Sequence, residues 1–458
     1  MKQSLPGRES DRAIEKESEM QKIALIGNRI SQLLPSILAD CCYAVQWGCH
    51  IVAAESNGAA RGLLTEYAKQ VVDKSGVPVT FSCVPDMKEA LSDCDAVVFY
   101  DAVQPGSCFF NDREFLMGLE EENEEEEEQE LKGLVNQARA FAGLEGLLHT
   151  MRTAEKAKEL CSLMKTMRLH PHIVNLSEPL GQLTELFHLH GFDAVGMGVT
   201  ALNGPDGAGA LRRLLNRKDA VFTAAGIPYF TWLCSATDND ENLMGELLQT
   251  VQGGSMGVCA SAWSNIYDAV PVGDYRFFGE FLPEQPDFIP MEEPPLSESI
   301  DERKKRILYM NTVREKSLAS KEGQAAQLLL LTGASPMRPM QYLHALLTGA
   351  TLELPALAII NGKTLPELPA DATVEVPCRI ENNRVYGLDA SLPDGAIAIT
   401  AAAADSSLLC AKAAMGDTWA LRELIETDTA LAGLDRLYCL DVVYALMAEN
   451  KDFIPSLT

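Results

Sequence analysis

Residues 22–27 read Lys-Ile-Ala-Leu-Ile-Gly, a run with no polar face that ends in glycine and is followed by helical spacing over Ser31–Asp40. A strand that must hide both faces belongs inside a parallel sheet covered by helices. His50–Glu55 (His-Ile-Val-Ala-Ala-Glu) repeats the pattern and closes on an acid, and Asp95–Tyr100 (Asp-Ala-Val-Val-Phe-Tyr) repeats it after an amphipathic helix over Asp86–Ser92. Strands alternating with helices predict an α/β fold with a doubly wound parallel sheet.

At 458 residues the chain exceeds one ordinary core. The expected division is a charged extension over 1–21, a nucleotide-binding-type domain over 22–200 and a substrate and oligomerisation domain over 201–458. Further along, Leu134–Met167 reads as a long helix, and His172–Leu176, Phe192–Met197 and Ala220–Tyr229 read as strands. A Pro-rich crossing follows over Pro283–Pro295, then helices at Ile300–Leu318 and Gln324–Leu331. A β segment at Thr373–Ile380 and helices at Ser406–Ile425 and Leu434–Glu449 close the chain.

The net charge of −27 excludes a phosphate backbone or an anionic lipid surface as the natural partner. The longest basic run, Arg303–Arg306, reads as a solvated helix face. Nine of the eleven residues from Glu120 to Glu130 are glutamate, so that stretch supplies a third of the net charge and is expected to be a solvated insertion. Residues 1–20 hold no apolar stretch of signal or membrane length, and a cytoplasmic location with no membrane association is expected. The twelve cysteines include no CxxC pair, which favours reduced core residues over a structural zinc site.

Several segments, in order along the chain, resemble glycoside hydrolase family 4, the glycosidases that use NAD and a divalent metal. Asn175-Leu-Ser-Glu-Pro179 with Gly181-Gln-Leu-Thr-Glu185 resembles the family's Asn-Pro…Thr-Glu motif. Val195-Gly-Met-Gly198 and Gly226-Ile-Pro-Tyr-Phe-Thr-Trp232 stand where the family has Ile-Gly-Leu-Cys-Asn and Gly-Leu-Asn-His-x-x-Trp. Gly273-Asp274 with Glu280-Phe-Leu-Pro283, and Leu365-Pro with Ala372-Thr-Val-Glu-Val-Pro377, are similar to later family segments. The likeness runs from about residue 22 to the end. It implies a Rossmann-like doubly wound sheet, an α+β C-terminal domain of the type shared with lactate and malate dehydrogenases, and assembly into a homodimer or tetramer.

The resemblance implies a dinucleotide cradle, a metal clamp and a base, acting on a small sugar or uronide. For the cradle, only Gly27 of the usual glycines is present, followed by Asn28, Arg29, Ile30 and Ser31. Asn28 tolerates positive φ, Arg29 can reach a phosphate, and Glu55 ends the second strand where an acid would hold ribose hydroxyls. The same residues read equally as a plain strand–helix turn followed by a surface acid.

The family's cysteine and histidine metal ligands fall at Gly198 and Tyr229, and neither residue can replace its counterpart, so manganese or a similar ion is not expected. His170/His172 and His188/His190 are read as ordinary histidines. Asp274 is the candidate base, with Glu178 and Tyr229 as further acid–base candidates; Asn175 is placed toward cofactor or substrate, and Arg152 is a candidate substrate anchor. Three functions stay open: a divergent glycosidase cleaving an α-linked sugar by NAD redox and elimination, a catalytically silent scaffold, and an NAD-dependent dehydrogenase.

Overall fold

The structure is a computed structural model describing residues 20–101, 111, 112, 114–116, 118, 119, 141–198, 202, 207–273, 278–282 and 338–454. Asp274, the glutamate run, Arg303–Arg306, Pro283–Pro295 and the helices expected at Ile300–Leu318 and Gln324–Leu331 lie outside the described residues.

The first three apolar runs form β1 (Lys22–Ile26), β2 (His50–Ala54) and β4 (Ala96–Phe99). Ile23–Ile26 and Ala96–Phe99 are all fully buried, as two-sided packing demands. Beside β2 lies β3 (Thr80–Val84), which the sequence reading did not separate. Its mixed, half-buried residues suit an edge strand, where one face stays wet and the apolar signal fades. Strands β5 (His172–Asn175) and β6 (Ala194–Gly196) extend the other side.

These six strands are parallel and ordered β3-β2-β1-β4-β5-β6, so β1 is central and the order reverses between β1 and β4. The helices crossing between them are α1 (Ile30–Ala39), α2 (Gly58–Ser75), α3 (Met87–Leu91), α4 (Gly143–Met167) and α5 (Leu180–Leu189). The N-terminal half is thus a Rossmann-like fold.

The sheet then continues antiparallel. β11 (Leu352–Ile360) pairs with β6 at Ala358↔Gly196, and β12 (Thr373–Glu381) pairs with β11. Beyond them come β7 (Val221–Ile227) and β8 (Phe230–Asp238), joined through Pro228 and Tyr229, with the short β9 (Glu241–Asn242) and β10 (Pro271–Val272) paired to β8. The reading of Ala220–Tyr229 as one strand therefore caught only the first arm of a hairpin.

The remaining helices are α6 (Gly207–Leu215), α7 (Met244–Gln252), α8 (Val258–Tyr267), α9 (Pro339–Thr348), α10 (Ile397–Ala414), α11 (Thr418–Thr427) and α12 (Arg436–Glu449), with α9 in the core on one face of β1 and α11 and α12 in the core on the other. The expected single helix over Ser406–Ile425 is broken at Gly416 (φ 97°), after which Asp417 caps α11 by accepting from the Trp419 and Ala420 amides. The segment Asp394–Ala414 has a mean hydropathy of 1.3 and the length to cross a membrane, but half of that window is buried within the fold. α10 packs on α4, α5 and α11 as a core helix.

Candidate active-site cleft

The loops that gather a site are those after β1, β4 and β5 and the β7–β8 turn. The β5–α5 loop carries Glu178, which precedes the cis residue Pro179. Asn175 shapes this loop. Its side-chain amide donates to the Leu180 carbonyl and to Thr184 Oγ1, each at 3.2 Å, and its oxygen accepts from the Ser177 amide at 2.9 Å. With no exposed surface, Asn175 holds the loop rather than facing a ligand.

The β7–β8 turn sits against the same place, since a Cβ on Gly181 would lie 3.6 Å from the Pro228 ring and one on Gly198 would lie 3.0 Å from Leu180 Cδ2. Gly198 and the turn therefore adjoin the start of α5 together. Tyr229 occupies the turn at φ 70°, a left-handed conformation that costs a bulky residue about 1–2 kcal/mol.

The Tyr229 hydroxyl donates to the Glu178 carboxylate. Its ring stacks on Phe141 with centroids 4.2 Å apart and planes 2° from parallel. Phe141 is fixed in turn, its amide donating to Glu280 Oε2 at 2.7 Å and its carbonyl accepting from Gln182 Nε2 at 3.0 Å. Below Tyr229, Glu375 projects from β12 opposite Gly226.

Burial pushes Tyr229 well above its usual range, and the negative charges of Glu178, Glu375 and Glu280 push the same way. Glu178 is exposed, yet its pKa is raised by desolvation and drawn back by the Tyr229 bond. The Glu178 side chain thus keeps surface to solvent while its carboxyl is crowded by protein. Burial alone lifts Glu375 to about 8. Glu185 is also lifted to about 8 by burial, although it accepts from the Thr373 amide and the Ser407 hydroxyl.

Arg152 lies 2% exposed in α4, with its guanidinium 2.6 Å from Asp112 Oδ2 and 3.2 Å from Asn450 Oδ1. That buried trio ties α4 to the end of α12, so Arg152 faces the interior rather than the cleft. His172 bridges Asp193 and Tyr342, while His170, His188 and His190 point to separate neighbours. Among the described residues no group of three or more His, Cys, Asp or Glu is placed to hold a metal ion. Gly198 offers no donor, and Tyr229 is held as a neutral phenol bonded to Glu178. These residues do not fit the metal centre the resemblance implied.

At the topological switch point, Gly27 has φ 130°, and a Cβ there would meet the Tyr100 carbonyl oxygen at 2.0 Å. Glycine is obligatory in this turn. Glu55 directly follows β2, but its Oε1 accepts from the Asn57 amide at 2.8 Å, and Asn57 caps α2. The Asn28 amide donates to Asp101 Oδ1 at 2.8 Å and the Arg29 amide to the Tyr100 carbonyl at 3.3 Å. Ser31 is half-buried in the first turn of α1. The turn has the shape of a dinucleotide cradle, but these two amide donors face β4, which does not suit a pyrophosphate.

The Family 4 glycosyl hydrolase profile matches residues 22–197, and the Family 4 glycosyl hydrolase C-terminal domain profile matches 224–423. The chain belongs to glycoside hydrolase family 4. No curated protein matches its sequence at a significant level. Among solved structures, a Bacillus subtilis protein described as a glucosidase is 19% identical, covering 93% of this chain and 99% of its own, with a TM-score of 0.71. A 6-phospho-α-glucosidase from gut microorganisms, solved with NAD and Mn2+, is 14% identical over 96% of this chain and 100% of its own, at 0.70. A Thermotoga maritima 6-phospho-β-glucosidase, solved with NAD and glucose-6-phosphate, is 14% identical over 95% and 99%, at 0.68. At such identities the likeness carries the family fold. The residues at the metal and nucleotide positions must be judged on this chain's own geometry.

Proposed function

We propose that this family member binds a small, uncharged sugar in the cleft floored by Glu178 and Tyr229, without the cation-assisted redox cycle. The observation that supports it is Tyr229 itself, a strained tyrosine at the family's metal-ligand position, bonded to a cleft-floor glutamate and backed by Glu375 and Glu280. Such a floor offers the Glu178 carboxyl and the Tyr229 phenol to sugar hydroxyls, and a carboxylate there opposes a phosphate or uronate.

The test is calorimetric titration with glucose, galactose, glucose-6-phosphate and galacturonate. Saturable binding of a neutral sugar, at least tenfold tighter than of its charged counterpart, is the expected result. Preference for the phosphorylated sugar or the uronate overturns the reading.

A second reading keeps catalysis, with an α-linked sugar or uronide cleaved by the NAD redox and elimination route. The switch-point strand order, Gly27 and Glu55 favour it. Assayed with α-glycosides, NAD and Mn2+, turnover dependent on NAD supports this alternative, with Asp274, Glu178 and Tyr229 as its acid–base residues. Assembly into a homodimer or tetramer accompanies both readings and is checked by light scattering.

A further inference from the structure

In a parallel sheet of this order a dinucleotide lies outside the carboxyl ends of β1 and β4, its pyrophosphate held by backbone amides at the start of α1. In this chain that place is already served by a side chain. Asp101 follows β4, is 5% exposed, and takes the Asn28 amide at 2.8 Å. Its own amide donates to Ser177 Oγ at 2.8 Å, and the Ser177 amide donates to Asn175 Oδ1 at 2.9 Å, so the carboxylate is braced from β5.

Helix α1 receives no side-chain cap from Arg29, its N-cap residue, and the Asp101 carboxylate occupies the Asn28 amide just ahead of it. Arg29 and Lys156 are the positive charges that act on Asp101, with Glu159 opposing them. Arg29, half-buried in the same turn, is thus within electrostatic reach of an internal acid. The second glycine that lets a pyrophosphate approach is absent as well, Arg29 standing there.

We infer that Asp101 closes the dinucleotide crevice from within, acting as a built-in anion at the start of α1, and that removing it opens the crevice to NAD. The inference stands on this turn alone and is independent of what the sugar cleft binds.

Three measurements on the full chain test it. NADH fluorescence titration of the wild type should show no saturable binding up to millimolar concentration. Asp101→Gly should bind NADH at least tenfold more tightly than that limit, with Asp101→Asn intermediate because its amide oxygen can still accept from Asn28. Hydrogen exchange of the wild type should show the Asn28 amide protected.

Submillimolar NADH binding by the wild type overturns the closure, as does an unprotected Asn28 amide. So does an Asp101→Gly protein with native circular dichroism that binds no better than the wild type. If Asp101→Gly does not fold, Asp101→Asn decides: it must gain affinity over the wild type, and no gain overturns the proposal.

Discussion

Two turns in this molecule hold a residue at positive φ beside a would-be ligand site, and they do so for opposite reasons. At Gly27 the backbone presses against the Tyr100 carbonyl, so no side chain fits and the conformation belongs to the fold. At Tyr229 nothing in the hairpin demands a bulky residue, and the strain accompanies a side chain that bonds Glu178 and stacks on Phe141. A strained glycine reports architecture, whereas a strained tyrosine directs attention to what its side chain does. The turn at Gly27 keeps two backbone amides on the end of β4, and the turn at Tyr229 sets a phenol among three acids.

The sharpest way to break this contrast is Gly27→Ala. A Cβ 2.0 Å from a carbonyl oxygen, at φ 130°, forces β1 and β4 apart at the centre of the sheet. The expected cost is roughly 3–5 kcal/mol, read as a lower midpoint in urea denaturation. A loss under about 1 kcal/mol would mean that the turn has room to relax and that its geometry is not architectural.

The second prediction concerns the acids beneath Tyr229. The folded protein keeps a proton on Glu375 up to about pH 8, whereas the unfolded chain releases it near 4.5. Through that window the native state binds more protons, so stability falls as pH rises and levels off beyond about 8. Replacing Glu375 with Gln removes its share, stabilising the protein at pH 8 by an amount on the order of 3 kcal/mol with little change at pH 4. Glu185, lifted to about 8 as well, leaves part of the slope in place. Melting temperatures across pH check this, and an unchanged slope in Glu375→Gln would place that carboxyl in contact with water.

The parallel half of the sheet was legible because burial on both faces leaves an unmistakable run at Ile23–Ile26 and Ala96–Phe99. β3 escaped because an edge strand needs no such run, and β8 because it follows its hairpin partner β7 after only two residues. The resemblance pointed to Glu178 and Tyr229, which the structure brings together, while Asn175 and Arg152 turn inward. Phe141 was missed, as its role arises only where segments near 141, 182, 229 and 280 meet. Glu280 and Glu375 lay within motifs already singled out, but their convergence is tertiary. Asp101 gave no sign, because the amide its carboxylate takes, that of Asn28, lies far from it in the chain.

The smallest expected effect is the one that separates the two turns most finely. Tyr229→Phe keeps the ring on Phe141 and removes only the hydroxyl that bonds Glu178. One hydrogen bond to a charged group is lost, but a buried hydroxyl is lost with it, so stability should change by only about 1 kcal/mol. Because that bond holds Glu178 down against desolvation, its carboxyl should titrate higher in the variant, which carboxyl-carbon NMR can follow. Neutral-sugar affinity should fall about tenfold at the same time, matching roughly 1.4 kcal/mol in binding. If Tyr229→Phe instead destabilises the fold as severely as Gly27→Ala while leaving sugar affinity intact, the tyrosine is architecture too, and the contrast between the turns disappears.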